Sequence, residues 1–470
     1  MTQKTNFGKI TPSILKEIED IAGPSSVVYD RESLEIYGRD ETEDLSFLPE
    51  VVVKPASVDQ ISALMRLASR HNIPVTPRGG GTGLSGGALP VYGGICLSME
   101  KLNRIISIDE KNFQAVTEPG VITQLFQEEV ERRGLFYPPD PASRGSCHLG
   151  GNLAECAGGP RAVKYGVTKD YVLGIEAVLP TGEIISAGGR VLKNVSGYNL
   201  TQLIIGSEGT LAIITKIIFR LIPLPRLRKV ILAAFDSLED ATACVARIFQ
   251  QGITPSALEF MERSAVRAAE DRLGKKFPNG NAEAQLLIEI DGNHNEVIDK
   301  DIEAIAGVIE QHRPVDVLLA EDPTKVADVW ALRRSMGEAV KSYSAYKEED
   351  TVVPRANLPQ LVKGVKEICA RYGVTSICYG HAGDGNVHVN ILKEGVDDET
   401  WEKNLEGAIR EIFQLTVSLG GTISGEHGIG YSQKSYLPIA LSESELRLMK
   451  EIKKTFDPKG ILNPGKIFMD

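Results

Sequence analysis

The chain has 470 residues, of which 42% are hydrophobic and 24% are charged, so it is long enough for two or three domains with large cores. Its 52 basic and 63 acidic residues give a net charge of −11, and no basic stripe offsets that balance, which argues against nucleic acid as a partner. No apolar stretch reaches the roughly 20 residues of a membrane-spanning helix, and the first residues lack the apolar core of a secretory signal. The six cysteines form no CxxC pair, which suits reduced thiols and predicts neither an iron–sulfur cluster nor a zinc ribbon.

The first 226 residues combine short apolar strands with amphipathic helices, which predicts a mixed α/β domain. Thr11 stands before Pro12, a pair typical of an N-cap followed by the first helical residue. Ser57 likewise precedes a helical pattern and is expected to cap it. The expected helices cover residues 11–22, 57–70 and 122–133, and the expected strands cover residues 51–53, 73–76, 95–99, 105–108, 114–118 and 172–179.

Residues 78–87 read Arg-Gly-Gly-Gly-Thr-Gly-Leu-Ser-Gly-Gly, so six of the ten positions are glycine. This glycine run offers backbone N–H groups in a concave turn and lets an anionic oxygen approach closely. Gly81, Gly83 and Gly86 have the spacing of the Rossmann fingerprint, but the residues that follow do not open the helix which that fingerprint requires. A flexible linker is the alternative. Because strand-like segments flank the run on both sides, we interpret it as a phosphate cradle for a dinucleotide.

Residues 137–166 form a second unusual stretch, rich in turn formers and small side chains and poor in apolar periodicity. Loops of this length inside a compact domain are usually functional or disordered. Leu149, Leu153 and Val163 within the stretch, and the strand that follows it, favour an ordered loop. A surface loop without a task is the alternative.

From Lys229 onward, strands and helices alternate, which predicts an α+β sheet covered on one face. Residues 376–392 are expected to form a hairpin. The other expected strands cover residues 230–235, 257–260, 284–291 and 315–320, and the expected helices cover residues 238–250, 262–272, 295–312, 326–342 and 442–455.

Two histidines flank the turn of this hairpin. His381 and His388 stand on either side of Asp384-Gly385, a dipeptide typical of a two-residue turn. With the turn centred there, the two histidines face each other directly across the ladder, with Cβ atoms roughly 4.5–5.5 Å apart. The pair therefore predicts two imidazole ligands for one divalent cation.

A glycine-flanked loop, residues 424–430, adds Glu426 and His427. Two histidines and one carboxylate with an open position suit a catalytic zinc or an iron(II) ion. His427 beside such a site would suit a general base, because its unperturbed pKa lies near 6.5. A single histidine is more often structural, but four of the seven histidines, with His148 as the fourth, coincide with glycine-rich loops. That coincidence favours a metal or catalytic site.

With these motifs in place, the chain resembles the flavin-dependent oxidoreductases of the vanillyl-alcohol oxidase type, which share a p-cresol methylhydroxylase (PCMH)-type FAD domain. Within that family it is similar to the group of glycolate oxidase catalytic subunits, FAD-linked D-lactate dehydrogenases and D-2-hydroxyglutarate dehydrogenases. The resemblance covers nearly the whole chain. Its motifs in chain order are Pro77-Arg-Gly-Gly-Gly-Thr-Gly83, Leu149-Gly-Gly-Asn-Leu-Ala-Glu155, Ile205-Gly-Ser-Glu-Gly-Thr-Leu211, His381-x-Gly-Asp-Gly-Asn-x-His388, Gly425-Glu-His-Gly-Ile-Gly430 and Leu462-Asn-Pro-Gly-Lys466.

The resemblance implies that FAD is held by the glycine run, by the loop at 137–166 and by residues 206–213. The expected FAD-binding residues are Pro77, Arg78, Gly79, Gly80, Gly81, Thr82, Gly83, Ser85, Gly86, Pro139, Asp140, Ser143, Cys147, His148, Gly150, Gly151, Asn152, Ala157, Gly158, Tyr165, Gly166, Glu208, Gly209, Ile213 and Asn463. His148 stands where many relatives have a small or hydroxyl residue. Noncovalent FAD is expected, and covalent attachment at His148 is the alternative.

The resemblance also implies that His381, His388 and Glu426 bind a divalent metal, zinc or iron(II), and that His427 is the base.

Arg333 and Lys347 match the positions that bind the substrate carboxylate in this family, with Arg334 as the alternative to Arg333. The D-2-hydroxyglutarate enzymes carry a hydroxyl residue at the position of Gly337, which disfavours that larger dicarboxylate here.

The expected fold class is α+β, with a PCMH-type FAD-binding domain, an α+β cap (substrate) domain and a C-terminal segment that returns to the flavin. The expected boundaries are 1–45 for an N-terminal helical segment, 46–226 for the FAD-binding domain, 227–420 for the cap domain, and 421–470 for the segment that completes the flavin and metal site.

The expected activity is oxidation of a small 2-hydroxy acid, D-lactate or glycolate, to the 2-oxo acid, with hydride passing to flavin N5 and with metal and histidine assistance. Electrons are expected to pass to a partner: an iron–sulfur subunit, an electron-transferring flavoprotein or a quinone. The alternatives are a same-fold oxidoreductase for another alcohol (D-2-hydroxyglutarate, an aldonolactone or a lipid ether) and a non-catalytic subunit that holds FAD. The expected location is the cytoplasm, with the inner membrane face as the alternative, and homo- and hetero-oligomers both remain open.

Overall fold

A computed structural model of the chain describes residues 7–469. Residues 1–6 lie outside the described residues, and so does Asp470. The expected N-terminal helical segment, and the first residues that lack a secretory signal's apolar core, therefore lie partly outside them. In the described part of the chain, no helix combines the length and the apolar character that crossing a bilayer requires.

The strands are short in the first half of the chain and longer in the second half. In chain order they are β1 (Val27–Val28), β2 (Val51–Val53), β3 (Val75–Arg78), β4 (Ile95–Ser98), β5 (Ile105–Asp109), β6 (Gln114–Thr117), β7 (Leu135–Phe136), β8 (Val172–Val178), β9 (Ile184–Gly188), β10 (Ile213–Arg220), β11 (Ile222–Pro223), β12 (Leu227–Phe235), β13 (Ala257–Glu262), β14 (Ala284–Gly292), β15 (Asp316–Ala320), β16 (Tyr346–Val352), β17 (Thr375–Gly380) and β18 (Asn386–Leu392).

The helices range from four to 21 residues. In chain order they are α1 (Pro12–Ala22), α2 (Arg31–Tyr37), α3 (Val58–His71), α4 (Thr123–Glu131), α5 (Leu149–Glu155), α6 (Ala162–Tyr165), α7 (Leu200–Ile204), α8 (Leu238–Gln250), α9 (Arg263–Leu273), α10 (Asn295–Glu310), α11 (Pro323–Lys341), α12 (Leu358–Arg371), α13 (Asp398–Ser418), α14 (Leu437–Ala440) and α15 (Glu443–Phe456). Short 3₁₀ turns lie at Pro24–Ser26, Thr168–Tyr171 and Arg355–Asn357.

The described residues divide into two compact units. The first unit comprises residues 7–157, 167–224 and 426–469, and the second comprises residues 158–166 and 225–425. Both units are therefore discontinuous along the chain.

The helices of the first unit begin where the capping residues predict. Thr11 Oγ1 accepts a hydrogen bond from the Ile14 N–H, and Ser57 Oγ accepts one from the Gln60 N–H. α3 ends at Asn72, whose φ of 55° provides the left-handed turn of a helix C-terminus. The apolar face of α3 is almost completely buried, and its members are Ile61, Leu64, Met65 and Ala68.

The first unit contains two main sheets. One has the strand order β1-β2-β4-β3, with β4 parallel to both β2 and β3. The other is antiparallel with the order β5-β6-β10-β8-β9. The C-terminal segment joins the first sheet, because Leu462 forms a parallel bridge with Val75. The end of the chain is thus part of the core of its first unit.

The second unit is built on a seven-stranded antiparallel sheet with the order β15-β12-β14-β13-β17-β18-β16. The expectation of a sheet covered on one face is wrong. Ala257 and Leu258 are adjacent on β13 and point to opposite faces, yet both have no exposed surface. β13 is buried along its whole length, as is β14 apart from Gly292, so both faces of the sheet are covered.

The expected helix at residues 238–250 is confirmed with the same limits as α8. The sequence patterns do not predict β16, α12 or α13, and they miss α5 within the glycine-rich stretch at 137–166. Two of the four residues at the start of α5 are Gly150 and Gly151, which weaken any helical pattern.

Candidate active site

The glycine run follows β3 in the first unit and lies against the segment that leads into α5. A Cβ atom on Gly80 would come within 2.5 Å of the Ser146 carbonyl oxygen, so only glycine allows these two backbones to approach. Gly81 and Gly86 have positive φ values of 71° and 77°, which produce left-handed turns. The run therefore requires glycine for close approach and for turning.

Part of this surface faces open space. A Cβ atom on Gly83 or on Gly151 would meet no atom of the described residues within 4 Å. A phosphate oxygen approaching the backbone requires such room beside bare N–H groups. The residues present thus fit the pyrophosphate of the cofactor that the resemblance implies.

The C-terminal segment is hydrogen-bonded to the glycine run. Asn463 Nδ2 donates to the carbonyl oxygens of Gly87 and Glu208, at 3.0 and 2.8 Å. Lys466 Nζ donates to the Leu89 carbonyl oxygen at 2.6 Å. These bonds join three stretches of sequence that are far apart along the chain.

The backbone around the predicted base is fixed to the same place. Ser85 Oγ donates to the His427 carbonyl oxygen at 2.9 Å. The Glu208 carboxylate accepts hydrogen bonds from the N–H groups of Ile429 and Gly430, at 2.8 and 2.6 Å. His427 is therefore attached through its backbone to the glycine run.

Buried charges cluster beside these contacts. Burial raises the pKa of Glu155 well above its ordinary value, and the negative charges of Glu208 and Asp40 add to the effect. Burial also lowers the pKa of Lys466 to about 7, against the opposite influence of the same acids. Oε2 of Glu155 is buried and has no hydrogen-bond partner among the described residues. Burial and the neighbouring carboxylates therefore both favour the protonated form of Glu155.

Most of the expected FAD-binding residues lie in the first unit. Arg78 donates to the Arg39 carbonyl oxygen at 2.7 Å, so its side chain also secures the fold. Burial lowers the pKa of His148, which favours a neutral ring. The expected residues in this unit are Pro77 and Arg78 on β3, the glycine run, Pro139, Asp140 and Ser143 after β7, Cys147 and His148 before α5, Gly150, Gly151 and Asn152 on α5, Ala157, Glu208, Gly209, Ile213 on β10, and Asn463.

The remaining expected FAD-binding residues, Gly158, Tyr165 and Gly166, belong to the second unit. Tyr165 Oη donates to Asp291 Oδ2 at 2.7 Å, and the same carboxylate accepts a hydrogen bond from Lys164 Nζ at 2.5 Å. Asp291 thus secures this short segment to the sheet.

The histidine hairpin of the second unit differs from the expected geometry. The ladder pairs Tyr379 with His388, so His381 is not opposite His388 as the two-residue turn predicts. Residues 381–385 form a five-residue loop, in which the Asn386 N–H donates to the His381 carbonyl oxygen at 3.1 Å. The two rings nevertheless lie 5.3 Å apart between centroids, and each offers a nitrogen within 4.8 Å of the other.

His381 is held by a fully buried carboxylate. Its Nδ1 donates to Glu259, at 3.0 Å from Oε1 and 2.9 Å from Oε2. Arg333 Nη2 lies 2.6 Å from Glu259 Oε2. Burial alone would raise the pKa of Glu259, but the charges of His381 and Arg333 outweigh it and hold that pKa below its ordinary value. Because Nδ1 is engaged with Glu259, Nε2 is the nitrogen of His381 that suits a cation.

His388 also faces a carboxylate and polar groups on the same side of the sheet. Its Nδ1 lies 3.4 Å from Glu348 Oε1, and its ring lies 5.4 Å from the ring of Tyr379. Asn390, two residues after His388 on β18, is fully buried on the same face. Sequence reasoning missed Glu259, Glu348 and Asn390; only the two-residue spacing of Asn390 from His388 along a strand could have indicated one of them.

Asp350 holds the two residues that precede Glu426 through hydrogen bonds. Asp350 is paired directly with His388 in the ladder, and its Oδ2 accepts hydrogen bonds from Ser424 Oγ at 3.0 Å and from the Gly425 N–H at 2.7 Å. Glu426 is the next residue, and consecutive Cα atoms are about 3.8 Å apart.

Lys347 starts on the opposite face of the sheet from His388. Glu348 and Asp350 share the face of His388, because Asp350 is paired with it and side chains alternate along a strand. Lys347 is adjacent to Glu348 on the strand, so its side chain starts on the other face, and it is paired with Ile391. The expected role of Lys347 at the substrate carboxylate stays a prediction, and Lys347 lies on β16, a strand that the sequence patterns do not predict.

The chain matches two domain families of known proteins. Residues 49–188 match the FAD binding domain family, and residues 224–467 match the family described as FAD linked oxidases, C-terminal domain. The chain is 38% identical over 463 residues to the glycolate oxidase subunit GlcD of Bacillus subtilis, covering 98% of this chain and 97% of that protein. It is 41% identical over 417 residues to a D-lactate dehydrogenase of Archaeoglobus fulgidus, covering 89% and 91%.

The fold is shared with more distant proteins. The crystal structure of p-cresol methylhydroxylase with substrate bound matches with a TM-score of 0.79 at 17% identity, covering 97% of this chain and 96% of the other. The PCMH-type fold expected from the sequence is confirmed. The matched families and the closely aligned relatives together show that this chain belongs to the FAD-linked oxidases and is an FAD-dependent oxidoreductase.

Proposed function

We propose that the chain oxidises a small 2-hydroxy acid, D-lactate or glycolate, to the corresponding 2-oxo acid. The observation that carries the proposal is Arg333, a cation with 7% of its surface exposed, which shares the carboxylate of Glu259 with His381. Its Nε is buried and has no hydrogen-bond partner among the described residues. A buried donor of this kind suits an anionic substrate, because leaving it unpaired costs about 1–3 kcal/mol. The printed names of the relatives, glycolate oxidase subunit and D-lactate dehydrogenase, support the same class of substrate.

In this proposal Arg333 binds the substrate carboxylate through its guanidinium fork. Asn390, which is fully buried on the face of His388, orients the polar groups of the substrate. We do not assign Lys347 to the carboxylate, because its side chain starts on the other face of the strand.

His381, His388 and Glu426 would hold a divalent cation, for which two imidazoles and one carboxylate suit zinc or iron(II). The buried histidine pair supports this assignment, since each ring turns its Nδ1 to a carboxylate. When bound, FAD supplies a two-electron acceptor and the cation supplies Lewis-acid polarisation. His427 would accept the proton of the C2 hydroxyl group at a ring nitrogen.

A small substrate is favoured by Gly337. It lies four residues after Arg333 on α11, so the two positions share a helix face. A Cβ atom at Gly337 would lie 3.6 Å from Tyr379 Oη, and glycine itself offers no hydroxyl group to a second carboxylate. D-2-hydroxyglutarate is therefore the second candidate, behind the monocarboxylates.

We further propose that electrons leave through a separate acceptor: an iron–sulfur subunit, an electron-transferring flavoprotein or a quinone. The six cysteines support this proposal, because five are buried and in the described residues none belongs to a group of metal-ligating side chains.

The proposal is tested by adding D- and L-lactate, glycolate and D-2-hydroxyglutarate to the purified FAD-containing protein without oxygen. D-lactate or glycolate should bleach the flavin absorbance fastest, since one carboxylate and a C2 hydroxyl satisfy the groups described. No bleaching with any 2-hydroxy acid would contradict the proposal and favour a subunit that only holds FAD.

The control for this experiment is the substitution His427→Ala. It should abolish bleaching by substrate while the bound FAD and its reduction by dithionite remain unchanged. Bleaching at the wild-type rate in this variant would refute the role of His427.

A further inference from the structure

Glu259 is a buried carboxylate that the proposed function leaves without a role. It lies on β13 with no exposed surface, and its two oxygens are used by residues from two different elements. His381 comes from the loop after β17, and Arg333 comes from α11. Since His381 is 122 residues away in sequence, the contact exists only in the folded second unit.

Glu259 contacts one residue from each half of the proposed site: His381 of the cation site and Arg333 of the carboxylate-binding site. His381 Nδ1 lies 2.9 Å from Oε2, and Arg333 Nη2 lies 2.6 Å from the same oxygen. Both partners are themselves buried, with 8% of each side chain exposed. A buried carboxylate is tolerated only when it is paired, and removing its charge leaves the partners uncompensated. One carboxylate group therefore contacts both the imidazole of His381 and the guanidinium of Arg333.

We propose that Glu259 is a positioning residue that fixes the metal-binding ring of His381 and the carboxylate-binding group of Arg333 at a set separation. The inference rests on the proposed function and extends it, because it makes cation binding and substrate recognition depend on one side chain. Glu259 accepts the Nδ1 proton of His381, which turns Nε2 toward the cation and makes it a stronger ligand. It forms an ion pair with Arg333 Nη2, and Nε of the same guanidinium, which has no hydrogen-bond partner among the described residues, would be available to the substrate.

The experiment compares Glu259→Gln and Glu259→Asp with the wild type in the full-length FAD-containing protein. The first substitution keeps the shape and removes the charge; the second keeps the charge and shortens the reach by one methylene. Zinc affinity is measured by competition with a chelator, and the KM for D-lactate or glycolate by flavin reduction. Both variants should bind zinc about 10- to 100-fold more weakly, as is typical when the outer partner of a metal ligand is lost, and both should show a raised KM.

The matched control is Glu289→Gln on the neighbouring strand β14. Glu289 is 1% exposed, and it accepts hydrogen bonds from Trp330 Nε1 at 2.8 Å and from Ser256 Oγ at 3.0 Å. Trp330 lies on α11, the helix of Arg333, so this variant disturbs the same packing without touching either half of the site. It should keep wild-type zinc affinity and KM.

A double-mutant cycle separates the two effects of Glu259. In an Arg333→Met background, Glu259→Gln should weaken zinc binding as before but should no longer change KM. Wild-type zinc affinity in both Glu259 variants would overturn the positioning role, whatever the substrate is. Tight zinc binding by a wild type whose flavin no 2-hydroxy acid reduces would contradict the proposed substrate alone.

Discussion

At the scale of single residues, the candidate site depends on carboxylates that carry no sequence motif. Glu259 and Glu348 each face one of the two hairpin histidines, and Asp350 secures the backbone that leads to Glu426. None of them belongs to a glycine-rich loop. The histidines were predicted because their loops are unusual, whereas their supporting partners come from ordinary strands and only the register of the sheet reveals them.

The structure distinguishes two basic residues that the sequence treats alike. Arg333→Lys keeps a cation beside Glu259 but loses the guanidinium fork, so the KM for the 2-hydroxy acid should rise by about 10-fold, the loss of roughly 1.5 kcal/mol from one charged hydrogen bond. Lys347→Met should change KM by less than about 2-fold, because that side chain starts on the other face of β16. Steady-state kinetics of both variants give the comparison, and the reverse order of effects would show that Lys347 is the principal carboxylate group.

At the scale of elements, local signals predicted the limits of helices better than the path of loops. Ser237 caps α8 through its side chain, and the helix runs over the predicted residues. The Asp-Gly pair predicted a two-residue turn, but residues 381–385 form a longer loop. Gly385 has a φ of 86°, and a Cβ atom there would lie 1.9 Å from the Val353 carbonyl oxygen. A contact with a distant segment thus determines this loop, and no local pattern contains that information.

The glycine run gives a prediction at the same scale. Gly83→Ala should leave the stability of the FAD-free protein unchanged, because its methyl group meets no described atom within 4 Å. If FAD fills that space, the dissociation constant for FAD should rise about 10- to 100-fold, since overpacking typically costs 1–3 kcal/mol. Fluorescence titration of the FAD-free protein measures this constant.

The control for this substitution is Gly307→Ala on α10, which also meets no described atom within 4 Å but lies in the second unit. It should bind FAD as the wild type does. Equal FAD affinity of the Gly83 and Gly307 variants would place the pyrophosphate elsewhere.

At the scale of the whole molecule, the stability of the first unit should depend on the charge of Glu155. Burial raises the pKa of Glu155 well above its ordinary value in the folded protein. Its stabilising contribution is therefore complete below the pKa of the unfolded chain and is lost as pH rises toward the folded pKa. Each unit of difference between the two pKa values corresponds to about 1.4 kcal/mol.

Glu155→Gln should consequently lose less stability than the wild type as the pH rises above 4.5, the ordinary pKa of a glutamate carboxyl group. Thermal unfolding of the FAD-containing protein measures the effect, with about 2–4 °C expected for each kcal/mol. Glu32→Gln, at an exposed position on α2, should follow the wild type. Parallel pH profiles for Glu155→Gln and the wild type would show that the carboxyl group has an ordinary pKa in the folded state.

Residues 461–463 complete the first unit from a segment that follows the second unit along the chain. Val75 donates its N–H to Ile461 and accepts the N–H of Asn463, while the second unit occupies most of the chain between them. During synthesis the amino-terminal residues leave the ribosome first. The edge strand β3 can therefore pair with residues 461–463 only after the second unit has been synthesised. A chain truncated before residue 461 would lack the strand partner of Val75 and the hydrogen bond from Asn463 Nδ2 to the Gly87 carbonyl oxygen.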